Sequence, residues 1–382
     1  LVAQNLGAKN ELAAAQVSVI SLGANFAFGL ILSIGVFFTS KQLLQLMDLP
    51  SELMGEADSY LKIVGGLSFV QALIMTIGAI LRSYGFTKDA MYVTIGMNLL
   101  NVIGNYLFIF GTFGFPELGV TGVAISTSIS KCVGLIVITV LLFKRIPYKL
   151  DIFKIFKMPV HHLKNLLAIG LPAAGEQLSY NASQMMITYF IAMLGTEALT
   201  TRVYAFNLMM FIYLFAIAIG QGTQILIGHQ IGARKYEEAY TRGLKSLRLG
   251  ILISFICALV FSIFSKPLLS IFTSNENILA LGSILIWMTI ILEPGRAFNI
   301  VIINSLRGTG DVKFPVIVGI ISMWGVAVAL SYILGIHFGL GLIGVWIAFI
   351  ADEWIRGILM LRRWKSKVWM NKNFIYDKEN IA

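Results

Sequence analysis

Charge is scarce in this sequence: only 13% of its 382 residues are Asp, Glu, Lys or Arg. Soluble globular chains carry about a quarter, so a surface that faces water all round is excluded. Cysteine is scarcer still. Cys132 and Cys257 both lie inside apolar runs, which excludes a disulfide framework or a thiolate metal cluster and leaves two small buried hydrophobes. The four histidines, His161, His162, His229 and His337, fall in loops or at the ends of apolar segments, so the clustered His, Asp or Cys that an integral membrane enzyme needs is missing. No ATPase signature is present; the "GTGD" at 308–311 lacks the lysine and Ser/Thr that close a phosphate loop. No cleavable signal peptide is expected from the opening residues given, the first of which is Leu1 rather than methionine.

Apolar residues are abundant, at 57%. They gather into ten segments, at about 13–38, 57–83, 90–110, 119–143, 165–194, 199–227, 243–265, 277–305, 314–336 and 340–361. Most reach the roughly 20 residues that cross a bilayer as a helix. The net charge of +10 suggests nucleic acid until its distribution is read. Lys144, Arg145, Lys149, Lys154, Lys157 and Lys164 crowd one connection. Arg234, Lys235, Arg242, Lys245 and Arg248 crowd another, and Arg362, Arg363, Lys365, Lys367 and Lys372 follow the last segment. Alternate connections are nearly free of bases: 39–56 holds only Lys41, 266–276 only Lys266, and 111–118 and 195–198 none. Threaded through ten spans, every basic connection falls on one side. That pattern places the linker and the C-terminal tail in the cytoplasm and removes the need for a nucleic-acid partner.

The chain also repeats itself. Gly7-Ala8-Lys9 aligns with Gly232-Ala233-Arg234 at an offset of 225, and the same offset carries Leu81, Arg82 and Gly85 onto Leu306, Arg307 and Gly310. An offset of 222 carries "LGVTGVAI" at Leu118 onto "LGLIGVWI" at Leu340. The second copy has two spans, 165–194 and 199–227, before its Gly-Ala-Arg signature; subtracting the offset puts their partners ahead of residue 1. We therefore expect an all-α polytopic membrane protein of two pseudo-symmetric six-helix bundles, with ten of twelve spans present and the first two absent. Even-numbered repeats keep one orientation, which places the pseudo-two-fold axis along the membrane normal, and two such bundles flanking a cleft describe a secondary transporter. The expected divisions are an N-lobe at 1–145, a basic linker at 146–164, a C-lobe at 165–361 and a tail at 362–382.

Four stretches carry a family resemblance: "LPAAGEQLSYNASQMMITYFIAMLG" (171–195), "GQGTQILIGHQIGARKYEEA" (220–239), "LEPGRAFNIVIINSLRGTGDVKFP" (292–315) and "NYLFIFGTFGFPELGVTGVAIST" (105–127). Together they resemble the multidrug and toxic compound extrusion (MATE) family. The resemblance implies a V-shaped fold of two lobes and export of organic cations and other drugs in exchange for protons or sodium. It also implies a functional carboxylate on a first helix, one of the two spans expected to be absent here.

Charges inside a bilayer are costly and tend to mark function. In the span 165–194, Glu176, Tyr180 and Gln184 recur every four residues, flanked by Gln177 and Asn181, as one polar stripe. Glu176 is either a carboxylate where protons, sodium and substrate compete or a cap or interhelical hydrogen-bond partner near the helix end, with Pro172 in the first turn. Members of the resembled family commonly hold the acid four residues further on, where this chain has Tyr180. Glu293, Arg296 and Asn299 surround Pro294, and Glu293 with Arg296 forms a local ion pair or a cation site. Asp352, Glu353 and Arg356 form a similar cluster in the last span, where pairing Asp352 with Arg356 leaves one negative charge uncompensated. Asn98, Asn101 and Asn105 share a helix face suited to interhelical hydrogen bonds, and Lys131 is a lone cation whose partner is expected in the absent helices. Gln221 and Gln224 are cleft or interface candidates, and Met185, Met186, Met209, Met210, Phe206 and Phe211 could supply an adaptable surface or simply face lipid. Arg82 and Arg307 are read as structural residues at helix C-termini.

The function expected is a multi-pass, plasma-membrane antiporter, monomeric, without cofactor, with the lipid bilayer and small-molecule substrates (organic cations and drugs) as its partners, and coupled to protons or sodium. The alternative is a lipid-linked oligosaccharide flippase, whose pyrophosphate cargo calls for a cleft rich in Arg and Lys. The excess of intramembrane acids favours cationic cargo.

Overall fold

Asn10 opens the first long helix. Its side-chain oxygen accepts a hydrogen bond from Ala13 N at 3.1 Å, satisfying one of the donors that a helix start leaves without partners. From there a computed structural model describes residues 1–47, 49–146, 148, 159–372 and 374, and among these every regular element is helical. Lys149, Lys154 and Lys157 of the basic linker, and the tail beyond residue 374, lie outside the described residues. The chain divides into two units: Leu1–Leu6 with Asn10–Leu166, and Gly7–Lys9 with Leu167–Ala382.

The first unit holds α1 (Glu11–Leu46), α2 (Ser51–Ser83), α3 (Thr87–Phe110) and α4 (Gly119–Arg145). Val19 and Leu22 of α1 pack with Ile77 and Leu81 of α2, Val93 of α3, and Ile138 and Leu142 of α4. α2 widens into π-type hydrogen bonding over Leu61–Gly65. Just beyond, the Phe69 amide donates to Ser33 Oγ of α1 at 3.1 Å. Ser40 of α1 also donates to Asp58, whose other oxygen holds Lys62 at 2.8 Å. On the asparagine face Asn101 Nδ2 donates across to Thr127 Oγ1 of α4 at 3.1 Å, and within α3 Asn105 Nδ2 donates to Asn101 Oδ1 at 3.3 Å. Asn98 is exposed, and Lys131 makes no ion pair among the described residues. Large apolar side chains such as Ile31, Leu32, Phe38, Met75 and Ile136 point outward and suit lipid.

The second unit is built from α5 (Val160–Met193), which begins in the first unit, then α6 (Thr196–Gly232), α7 (Tyr236–Ile263), α8 (Glu276–Thr309), α9 (Lys313–His337) and α10 (Gly341–Lys365). α5 starts earlier than the apolar pattern indicated, because the segment "VHHLKNLLAIG" is helical too. Pro172 is therefore an interior residue and not a first-turn one. α8 is the axle. Leu285, Ile286 and Leu292 join one core cluster with Leu208 of α6 and Trp346 of α10; Phe298, Val301 and Ile302 join a second with Ile227 and Trp364. Around Pro294 the axle is splinted by Trp354 of α10, whose Nε1 donates to the Ile291 carbonyl at 3.0 Å. The indole lies so close to Gly295 that a Cβ there would meet Trp354 Nε1 at 2.5 Å.

One end of this unit is tied together by charge and stacked rings. Arg363 at the end of α10 bonds Asp311 of the α8–α9 turn at 2.7 Å, Lys367 pairs with Glu237 at the start of α7, and Trp369 stacks on Trp364 at 4.4 Å.

The repeat is visible in the backbone. Gly85 and Gly310 both have positive φ, +91° and +104°. Each ends a helix with the same closing bonds: Phe86 N to the Leu81 carbonyl at 2.9 Å, and Asp311 N to the Leu306 carbonyl at 3.1 Å. Lys9 and Arg234 are likewise left-handed, and Asn10 N and Lys235 N reach back five residues to Asn5 and Gln230. Gly119 and Gly341 match at the second offset, with φ of +52° and +57°. Of the ten long helices among the described residues, eight are long enough and contain an apolar stretch sufficient to cross a membrane by length and composition. The other two, α5 and α10, carry the polar stripe and the acidic cluster.

Candidate functional site

α5 and α10 are less apolar because both line a cavity of about 550 Å³ inside the second unit. α5 contributes Glu176, Gln177, Tyr180 and Gln184; α6 contributes Arg202, Phe206, Met209, Met210, Tyr213 and Gln221. Arg296, Asn299, Asn304 and Arg307 come from α8, Met323 and Ala327 from α9, and Trp346, Phe349, Asp352, Glu353 and Arg356 from α10. A four-residue period on α5 turns successive polar side chains to one side, and Arg202, Phe206, Met209 and Tyr213 do the same along α6.

The ionised groups form one separate pair, Arg307 with Glu176, and one network of five, Glu293, Arg296, Glu353, Arg356 and Asp352. Arg307 Nη2 donates to Glu176 Oε2 at 2.5 Å. Arg296 Nη1 donates to Glu293 Oε1 at 2.7 Å, its Nε lies 3.4 Å from Glu353 Oε1, and its guanidinium stands over the Tyr213 ring at 5.5 Å. Arg356 Nη2 bonds Asp352 Oδ2 at 2.5 Å and lies 3.4 Å from Glu353 Oε2. Asn299 Nδ2 donates to Glu353 at 2.7 Å and Ser322 Oγ to Asp352 at 2.6 Å. Burial without such partners would cost several kcal/mol per charge, on the order of 3–5 when one member of a buried pair is removed.

Eight of the ten residues singled out from the sequence line this cavity: Glu176, Gln177, Tyr180, Gln184, Arg296, Asn299, Asp352 and Glu353. Glu293 sits behind Arg296 with no exposed surface and one carboxylate oxygen without a hydrogen bond. Asn181 does not line the cavity; it is exposed and accepts from Gln177 at 3.3 Å, one turn past the edge of the polar face. Of the adaptable-surface candidates, Phe206, Met209 and Met210 face the cavity, while Met185, Met186 and Phe211 are outside it and exposed.

Two expectations need correction. Glu353 is not left uncompensated, because Arg296 of a different helix and Asn299 reach it. Glu176 makes the interhelical hydrogen bond expected as the alternative to a cap, and its partner is Arg307, which lies in the last turn of α8. The acids do not outnumber the cations: Glu176, Glu293, Asp352 and Glu353 meet Arg202, Arg296, Arg307 and Arg356. Arg202, Tyr213 and Asn304 escaped the sequence reading altogether. An arginine in an apolar helix, on one face with Phe206, Met209 and Tyr213, was the available signal for the first.

The MatE family profile matches residues 1–107 and 172–333, most of the chain and both copies of the repeat. The chain is a MATE family transporter. Among curated relatives of this MATE protein, the uncharacterized transporter YisQ of Bacillus subtilis is 55% identical over 372 residues, covering 97% of this chain and 82% of its own. The "Probable multidrug resistance protein NorM" of Thermotoga maritima is 29% identical over 393 residues, covering 100% and 84%. Among solved structures, an outward-facing MATE family multidrug resistance transporter of the MOP superfamily superposes with a TM-score of 0.88 at 22% identity, covering 96% of this chain and 82% of that one. The MATE fold, multi-pass in a membrane and made to handle small molecules, is thus common to this chain and its relatives.

Proposed function

We propose that this MATE protein exports organic cations and other xenobiotics in exchange for protons or sodium, by alternating access, as a plasma-membrane monomer with a cytoplasmic C-terminal tail and no organic cofactor. The carrying observation is the cavity in the second unit, where carboxylates held by arginines stand beside Phe206, Tyr213, Trp346 and Phe349. Aromatic faces attract organic cations, and a carboxylate that can exchange an arginine for a proton or a sodium ion supplies a coupling element. Glu176 and Glu293 are the residues assigned that exchange, since each is bound by one arginine at 2.5 and 2.7 Å. The flippase reading is set aside, because three of the four cavity arginines are already engaged by carboxylates and no cluster of free cations is left for a pyrophosphate.

The test is ethidium efflux from loaded right-side-out vesicles under separately imposed pH and sodium gradients, comparing the unmodified chain with Glu176→Gln and Glu293→Gln. Gradient dependence should weaken in at least one variant. Unchanged dependence in both removes these carboxylates from the mechanism, and no efflux under either gradient by the unmodified chain removes the antiport reading.

A further inference from the structure

α7 has two unlike faces. Gly243, Gly250, Ser254 and Ser262 turn inward, and Ser262 Oγ donates to the Ile286 carbonyl of α8 at 2.9 Å. On the other face Leu249, Leu252, Ile256, Val260 and Ile263 recur every three or four residues, all exposed, and suit lipid. The same face continues toward the helix start as Arg242, Lys245 and Arg248, which are exposed too.

Lengths decide where those bases sit. At 1.5 Å per residue the apolar part from Leu249 to Ile263 rises about 21 Å, and the basic part from Arg242 to Arg248 about 9 Å. A bilayer holds about 30 Å of hydrocarbon within about 40–45 Å overall, which leaves a headgroup layer of roughly 5–8 Å on each side. The three bases therefore span one headgroup layer, with their aliphatic stems along the outermost acyl carbons.

No acid of α7 answers them. Glu237 pairs with Lys367 and Glu238 with Lys235, and Arg242, Lys245 and Arg248 make no ion pair among the described residues. Lys365, also exposed, follows Trp364, whose ring lies so close to Gly243 that a Cβ there would meet it at 2.6 Å. Topology alone does not call for this stripe, since Arg234 and Lys235 in the preceding connection already bias that end. The offset of 225 carries Arg242, Lys245 and Arg248 onto Val17, Ile20 and Gly23 of α1, where Val17 and Ile20 are buried. The stripe thus belongs to α7 and is not a requirement of the repeat.

We propose that Arg242, Lys245 and Arg248 form a docking surface for an anionic phospholipid of the phosphatidylglycerol kind. The lipid phosphate lies among the three bases, and its acyl chains lie on Leu249, Leu252 and Ile256. None of these residues lines the cavity, so the surface stands apart from whatever the cavity carries.

The test reads lipid at that face alone. The full chain with Cys132→Ala, Cys257→Ala and Leu249→Cys carries bimane on the introduced thiol, in phosphatidylcholine vesicles. Phosphatidylglycerol or phosphatidylcholine with a nitroxide high on one acyl chain is added in rising mole fraction, and quenching gives the association constant of each. With the stripe intact, phosphatidylglycerol should be favoured about tenfold or more. A base near an anionic headgroup is worth about fivefold, so each single Gln substitution should remove up to that much. Arg242→Gln, Lys245→Gln and Arg248→Gln together should bring the ratio close to one. Arg242→Lys with Arg248→Lys should keep most of the preference, because charge is what the headgroup reads. Lys266→Gln, at an exposed base past the far end of α7, should change nothing. A ratio near one with the stripe intact, or a preference that survives the single and triple Gln substitutions, overturns the proposal. An equal loss in Lys266→Gln does so as well, since net charge alone would then explain the preference. Displacement of the labelled lipid by millimolar sn-glycerol 3-phosphate would assign the stripe to a soluble anion and also overturn it.

Discussion

Removing the carboxylate charge of Glu176 strands Arg307 and tests whether the pair between α5 and α8 is a working joint. The two residues are 131 positions apart in sequence, and their side chains retain 11% and 28% of full exposure. An exposed pair is worth about 0–1 kcal/mol, and removing one partner of a fully buried pair costs about 3–5. Arg307 is over a quarter exposed, and its Nε already lacks a partner, so its loss can be softened by water. We expect Glu176→Gln to destabilise by about 2 kcal/mol, the charge-assisted range for a stranded group. Arg307→Met should cost a similar amount. Hydrogen bonds in membrane bundles couple by about 0.6 kcal/mol on average and about 1.7 at most. The double variant should therefore show a coupling energy near the top of that range, about 1.5 kcal/mol. The assay is reversible denaturant unfolding of the full chain in mixed micelles, with the four proteins of the cycle measured side by side. Additive losses, within about 0.3–0.5 kcal/mol as for independent sites, would show that the two side chains only happen to be near each other.

Glu293→Gln should destabilise by about 2–3 kcal/mol in the same assay, because Glu293 has no exposed surface and bonds Arg296 at 2.7 Å; a loss under about 0.5 would mean Arg296 is satisfied by Glu353 alone. Trp354→Phe keeps the packing on Gly295 and Phe298 but deletes the 3.0 Å bond to the Ile291 carbonyl. It should cost about 1 kcal/mol, and no change would show that the Pro294 region needs no outside donor. Gly85→Ala meets no atom within 4 Å, so the strain of φ +91° acts alone. A loss of about 1–2 kcal/mol is expected, against none if the turn relaxes.

Legibility from sequence followed the range of the interaction. Helices and the repeat depend on neighbours a few residues away, and they were readable: the offset of 225 found in letters reappears as matched left-handed residues at Lys9 and Arg234 and at Gly85 and Gly310. Pairs three or four apart on one helix were readable as well, as Glu293 with Arg296 and Asp352 with Arg356 show. Counting charges along single helices then left Glu353 spare and made the cavity acidic. The error came from contacts that only packing decides, since Arg296 meets Glu353 across 57 residues and Arg307 meets Glu176 across 131. Arg202 failed for the related reason that its acceptors, Gln184 and Thr188, belong to the preceding helix and carry no charge to draw attention to it. A membrane cavity therefore takes its electrostatic character from pairing between helices, and in this protein that pairing converts an apparent acidic surplus into four carboxylates matched in number by four arginines.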